Sequence, residues 1–333
     1  MLQSYVEESF GILTEDDLVL DSILVRPSQV DDDALRALRV WVPRYPLTKA
    51  SVITCARQEV DAQGREGSVA HLVFDLRGTG ESEGGAGDLN FEGDLQAVRL
   101  WAKERFGDIG IGFLGRPRGR EQVDVRPIRP GVVMEIYHYH PPRGALGAPL
   151  LYLATYGSFS DADEATCLGL AEAGYDVLAM DPLRYLLHAS GQGRLTVLEL
   201  WHDLQALCAQ LADAPLLLGQ PVGAGLALLW ASGVEEVGGV LALGQAQRAF
   251  RPTHIFANNN PHTFFLGRYV HKIAPRPVAL VRLTAHPLGG SPDELPALLE
   301  ICSGPRRLEV VEQAGDDLLL ELLEWIKNPA ADG

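Results

Sequence analysis

Cysteine is scarce in this chain. The four present, Cys55, Cys167, Cys208 and Cys302, lie far apart with no C-x-x-C pair. That excludes a disulfide framework and a zinc ligand set, and makes a reducing cytoplasm the expected compartment. Basic residues are outnumbered: 28 Lys and Arg face 44 Asp and Glu, a formal charge of −16 over 333 residues. The deficit is spread, with 14 basic against 20 acidic residues up to Arg120 and 14 against 24 beyond it. Such a field repels phosphate backbones and anionic lipid, so no nucleic-acid partner is expected. Phosphate-cradling motifs are missing too. Gly84-Gly85-Ala86-Gly87 and Gly289-Gly290 read as plain loops, and no cofactor is expected. The N-terminal MLQSYVEESF holds Glu7 and Glu8 and no basic stretch before an apolar run, so no signal peptide is expected. One charge-free stretch, 214–234, is about long enough to cross a bilayer. Gly219-Gln220-Pro221-Val222-Gly223 inside it would break a membrane helix, and a buried strand, turn and helix is expected instead.

Hydrophobic residues make up 47% and charged residues 22%, enough for a sizeable core. The chain also resembles itself. Val73-Phe74-Asp75-Leu76-Arg77 closes one apolar run, and Leu178-Ala179-Met180-Asp181-Pro182-Leu183-Arg184 closes another. Asp94-Leu95-Gln96-Ala97 recurs as Asp203-Leu204-Gln205-Ala206. Phe113-Leu114-Gly115-Arg116-Pro117-Arg118-Gly119 is matched by Leu217-Leu218-Gly219-Gln220-Pro221-Val222-Gly223. Asp75 to Gly115 spans 40 positions and Asp181 to Gly219 spans 38. Three features in the same order at nearly the same spacing predict a duplicated α/β unit.

The second copy is the fuller. Strands are predicted over 132–140, 149–155, 176–181, 215–218, 237–243, 278–283 and 307–311. Helices are predicted over 162–173, 195–211, 225–232, 292–302 and 318–327. This alternation implies a mostly parallel sheet with helices on both faces. The segment 245–273, with Phe256, Phe264, Phe265 and Tyr269, breaks the rhythm and reads as a cap. In the first copy, strands are predicted over 51–55, 69–75 and 109–114 and a helix over 92–106. The resulting division is a truncated unit 1–120, a linker 121–131 and a fuller domain 132–330. The truncated unit leaves the apolar strand 110–114 as an open edge, an association liability unless it is covered by the second domain or a symmetry mate.

Asp75-Leu76-Arg77-Gly78-Thr79-Gly80-Glu81-Ser82-Glu83-Gly84 resembles the D-x-R-G-x-G-x-S-x-G loop of α/β-hydrolases of the serine aminopeptidase and esterase type. The segment around Gly219 is similar to their nucleophile elbow. The resemblance implies an α/β-hydrolase-type sheet, in truncated form over about 1–120 and in full over about 130–330. It also implies a nucleophile at the centre of Gly-x-Nuc-x-Gly, an acid after a late strand and a His after the last one. Here the two elbow centres are Pro117 and Pro221, which have no nucleophilic atom. The acid position reads Thr284-Ala285-His286-Pro287, and the His position Gln313-Ala314-Gly315-Asp316-Asp317.

The expected function is therefore that of a catalytically degenerate α/β-hydrolase-fold protein, acting by binding or as an assembly subunit. A protein partner or self-association is expected, with a small acyl or aromatic ligand as a further possibility in a pocket at Tyr156, Gly157, Gln220, Pro221 and Val222. The alternative is a hydrolase or other enzyme on small acyl or ester substrates, using His286, Asp317 or Ser158 in the same cleft. Against it, Ser158 and Ser160 read first as a turn and a helix cap. His286 with Asp316 or Asp317 reads first as ordinary surface polar residues, the alternative being an acid–base pair. Arg116, Arg118, Arg120, Arg126 and Arg129 form the basic cluster of an acidic chain, an anion or partner contact or simply a solvated loop. His138 and His140, two apart on a strand, share a face. No third ligand at a supporting spacing is visible, so no metal is expected.

Overall fold

The computed structural model describes residues 4–85, 87–117, 121–154, 159–190, 195–221, 223–244 and 265–329. The chain forms two compact units, 1–119 and 120–333.

Unit 1 opens with an antiparallel hairpin, β1 (Tyr5–Leu13) and β2 (Val19–Pro27). Its turn is held by Thr14, whose hydroxyl accepts from Leu18 N at 3.0 Å, and by Asp17 at φ 62°, a left-handed position that Asp tolerates. There follow β3 (Ala37–Val42), α1 (Ile53–Gln63), β4 (Val69–Phe74), α2 (Phe91–Phe106) and β5 (Gly110–Gly115). The sheet order is β1-β2-β4-β3-β5, with β3, β4 and β5 parallel. The strand expected at 51–55 is instead the entry to α1. Val52-Ile53-Thr54 is β-branched and locally favours a strand, but Lys49 just upstream is anchored. Its amide donates to Asp75 Oδ1 at 2.5 Å, and its ammonium bridges Asp75 at 2.7 Å and Asp21. Ala56 and Val60, four apart, then bury one face of the helix.

The loop after β4 is a polar knot. Arg77 is 1% exposed, and its Nε and amide donate to the two oxygens of the fully buried Asp94 on α2, at 2.7 and 3.0 Å. Its remaining donors face Asp16 and Asp88. Ser82 Oγ donates to the Asp75 carbonyl at 2.7 Å and accepts from Asp21 N. At Gly80, φ +53°, a Cβ would lie 2.0 Å from Asp75 Oδ2, so the loop closes only on glycine there. Strand β5 is the sheet's edge, its residues exposed or half-buried.

Unit 2 contains β6 (Gln122–Arg129), β7 (Val132–Tyr139), β8 (Leu150–Leu153), α3 (Asp161–Glu172), β9 (Val177–Met180), α4 (Pro182–Ser190) and α5 (Val197–Cys208). It continues with β10 (Leu216–Gly219), α6 (Gly223–Ala231), β11 (Gly239–Leu243), β12 (Val278–Leu283), α7 (Glu294–Ile301), β13 (Arg306–Val311) and α8 (Asp316–Lys327). The eight strands run β6-β7-β9-β8-β10-β11-β12-β13, parallel from β9 onward. The fold class is the expected one, and the order and senses of β6, β7, β9, β8 and β10 repeat those of unit 1. Residues 121–131 are not a linker: 122–129 of them form the edge strand β6, paired antiparallel with β7. Pro127 sits at a register shift on that edge, where its missing N–H costs nothing. The charge-free 214–234 stretch becomes β10, a turn and α6. Among the described residues no helix is long and apolar enough to cross a membrane. Of the expected cap, 245–264 lies outside the described residues. The remainder forms two 3-10 turns that bury Leu266, Val270 and Ile273 in the core beside α6 and α7 rather than standing over the sheet.

Removing Asp94 strands a buried guanidinium, so Asp94→Ala should destabilise the protein by about 3 kcal/mol in chemical denaturation. Asp16→Ala, on the half-exposed side of the same guanidinium, should cost clearly less. Equal costs would contradict a buried Arg77–Asp94 anchor.

Candidate functional site

The turn from β10 to α6 is framed by two glycines at close approach, with Pro221 between them. A Cβ on Gly219 would sit 2.5 Å from the Ala224 Cα, and one on Gly223 2.5 Å from the Leu153 side chain. Strand and helix approach closely only because both are glycine. Gln220 N donates to the Leu153 carbonyl at 3.0 Å and its own carbonyl accepts from Ala224 N at 2.6 Å. Pro221 is buried, its ring 3.1 Å from where a Cβ on Gly244, at the end of β11, would stand. Among the described non-glycine residues only Asp17 has positive φ, so Pro221 holds the ordinary negative φ its ring imposes. The strained conformation that presents a nucleophile is not formed. In unit 1, β5 is followed by a strand starting at Gln122 rather than a helix, so Pro117 is not at the centre of an elbow.

The other expected catalytic positions are occupied by turns and caps. Thr284 and Ala285, after β12, are exposed, and their amides donate to the Val311 and Glu312 carbonyls. His286 Nδ1 accepts from Leu288 N at 3.0 Å, folding the ring into its own turn. Asp317 lies in the first turn of α8, where a carboxylate suits the helix dipole, and Asp316 turns toward Gly169 of α3. Ser160 caps α3: its hydroxyl accepts from Asp163 N at 3.2 Å, and its amide donates to Asp163 Oδ2 at 3.0 Å. Ser158 lies outside the described residues, as do Tyr156, Gly157 and Val222 of the expected pocket. Gln220 is half-buried.

Below the elbow the buried polar groups are committed to structure. Tyr152 Oη donates to Asp163 Oδ1 at 2.8 Å, and Arg184 forms a two-pronged pair with Glu135. On α5, Asp203 receives Tyr185 Oη and Arg129 Nε, at 2.9 and 2.8 Å. Arg129 is thus a buttress rather than a free anion receptor. Arg126 lies 3.7 Å from Asp124, Arg116 is exposed, and Arg118 and Arg120 lie outside the described residues. Asp181, after β9, caps α4 by accepting from the Leu183 and Arg184 amides at 2.9 and 3.1 Å. Its Oδ2 is buried without a partner beside a cavity of about 10 Å³, room for one water and no ligand. Burial pushes its carboxyl up to about 6, against the pull of those amides.

The structure does bring one set of ligating groups together that the sequence did not. His138 lies near the end of β7 and His140 directly follows it, and Asp176 precedes β9, which pairs antiparallel with β7. One ligand atom from each of the three lies within 4.8 Å of the others. Asp124 of β6 stands 3.5 Å from His138 Nδ1. Asp176 was not recognisable from spacing, because only the β7–β9 register makes it a neighbour.

A raised carboxyl binds its proton more tightly folded than unfolded. Its stabilisation is therefore present below about pH 4 and lost as pH rises through about 6. Asn mimics the protonated form. Wild type should lose about 3 kcal/mol relative to Asp181→Asn between pH 4 and pH 7, read from denaturation midpoints. A pH-independent difference would contradict the assignment.

No family model matches the sequence, and no curated protein matches it. Solved structures do. The esterase domain of a Rhodothermus marinus protein is 18% identical, with a TM-score of 0.44 over 62% of this chain and 96% of that one. Est1E from Butyrivibrio proteoclasticus is 15% identical, with a TM-score of 0.46 over 62% and 99%. A Klebsiella pneumoniae protein described as a dienelactone hydrolase is 14% identical, with a TM-score of 0.45 over 63% and 100%. By its own strand order and crossovers, this chain has an α/β-hydrolase-type fold.

Proposed function

We propose that this protein is a catalytically degenerate α/β-hydrolase-fold protein that acts by binding, as a partner-binding or assembly subunit. The observation that carries the reading is Pro221: the glycine frame of the elbow is intact, while its centre has neither a nucleophilic atom nor the backbone angle to present one. The capping roles of Ser160 and Asp181 and the turn-bound His286 support it, since groups at the strand ends are spent on backbone amides. The two sheets sharing a strand order, with Asp94 and Asp203 buried on α2 and α5, support descent from one duplicated unit whose first copy is truncated. Four cysteines with no disulfide among them suit a reducing cytoplasm.

Purified protein free of contaminating esterases should turn over p-nitrophenyl acetate no faster than buffer. Pro221→Ser should not restore turnover, because the His286 ring is folded into its own turn. Turnover abolished by His286→Ala would overturn the proposal in favour of a hydrolase with non-standard residues.

A further inference from the structure

We infer that His138, His140 and Asp176 form a binding site for a divalent transition-metal ion, zinc being the ion its donor set suits. The site lies where β7 ends and β9 begins, at the amino ends of the parallel strands, whereas the elbow lies at their carboxyl ends. Strand alternation sets it up. Tyr137 and Tyr139 stack on Phe159, with centroids 4.7 and 6.2 Å away, so the two histidines between and after them share the opposite face. Their rings lie 3.7 Å apart. Asp176 is fixed from behind, its carbonyl accepting from Leu150 N at 2.9 Å.

The separations are close to what an ion needs. Asp176 Oδ1 is 2.8 Å from His138 Nε2 and 3.6 Å from His140 Nδ1. Bonds of about 2.0–2.1 Å in a tetrahedron put ligand atoms about 3.3 Å apart. A carboxylate shift of about half an ångström therefore exchanges the present hydrogen bond for coordination, with release of any proton held there. Asp124 completes the arrangement. Its Oδ2 lies 3.5 Å from His138 Nδ1, the nitrogen that would not bind metal, in the role of a carboxylate that orients a ligating histidine. Arg126, 3.7 Å from Asp124 Oδ2, balances that charge. Two imidazoles and one carboxylate favour zinc over magnesium or calcium, and the fourth position is left for water or an incoming donor, since His140 is 60% exposed.

The test is calorimetric titration of the full, chelator-treated chain with ZnCl2. One equivalent should bind, with magnesium unable to compete. His140→Ala and Asp176→Asn should each weaken binding more than 10-fold, and Asp124→Asn by about 10-fold. Unchanged circular dichroism in the variants separates loss of ligand from loss of fold. Cys55→Ser, which removes an exposed thiol elsewhere, should leave the affinity as it was. Absence of binding in the wild type, or binding unaltered by both ligand substitutions, overturns the site. Neither result bears on the esterase assays.

Discussion

Helix α6 is enclosed on every side, all nine residues from Gly223 to Ala231 being buried, and it reaches that depth because no side chain separates it from β8 and β10. Gly223 lies against Leu153 and Gly219 against Ala224 at distances no Cβ could occupy. The central sheet, the leucines of α6 and Trp230 form one core around this contact. Each such side chain contributes about 1.5–3 kcal/mol by leaving water. In an enzyme the same geometry serves a nucleophile. Here its middle residue is a proline whose ring fills space beside Gly244. The frame is kept for packing, and packing alone accounts for both glycines.

A similar division runs through the other motif. The Asp75–Ser82 loop has its polar groups turned inward, Asp75 to Lys49, Arg77 to Asp94, and Ser82 to the backbone. Its sequence is distinctive because it ties β4, α2 and the β1–β2 hairpin together. At the matching place in unit 2, Asp181 caps α4, and Arg184 reaches back to Glu135 instead of forward to α5. Asp203 remains buried on α5, but its partners are now Tyr185 and Arg129. Each unit thus has a buried acid on a helix, satisfied by a different cation.

The later strands of unit 2 were legible because parallel, doubly covered strands are continuous apolar runs: 278–283 is β12 to the residue. Much of the start of each unit was not. Strand β1 is mostly solvent-facing and carries no apolar alternation, so only its pairing with β2 defines it. β6 resembles a linker because its one proline, Pro127, is tolerated on a sheet edge. α1 was hidden by β-branched residues whose local preference is overruled by the Lys49–Asp75 anchor. For α4 a signal was present: Asp181 followed by Pro182 is a cap followed by a proline in the first turn. At the candidate site, the proline at the centre of the β10–α6 turn, Pro221, could be read directly. The capping of α3 by Ser160 is local and was open to reading, whereas the meeting of Asp176 with two histidines depends on tertiary placement.

At the end of β10 the centre of the turn is Pro221, which offers no nucleophilic atom. The most direct measurement is the intact mass of the purified chain after incubation with a fluorophosphonate probe. An unmodified mass is predicted. A single stoichiometric adduct would contradict it, and the modified residue would then name a nucleophile that the Pro221 turn does not contain.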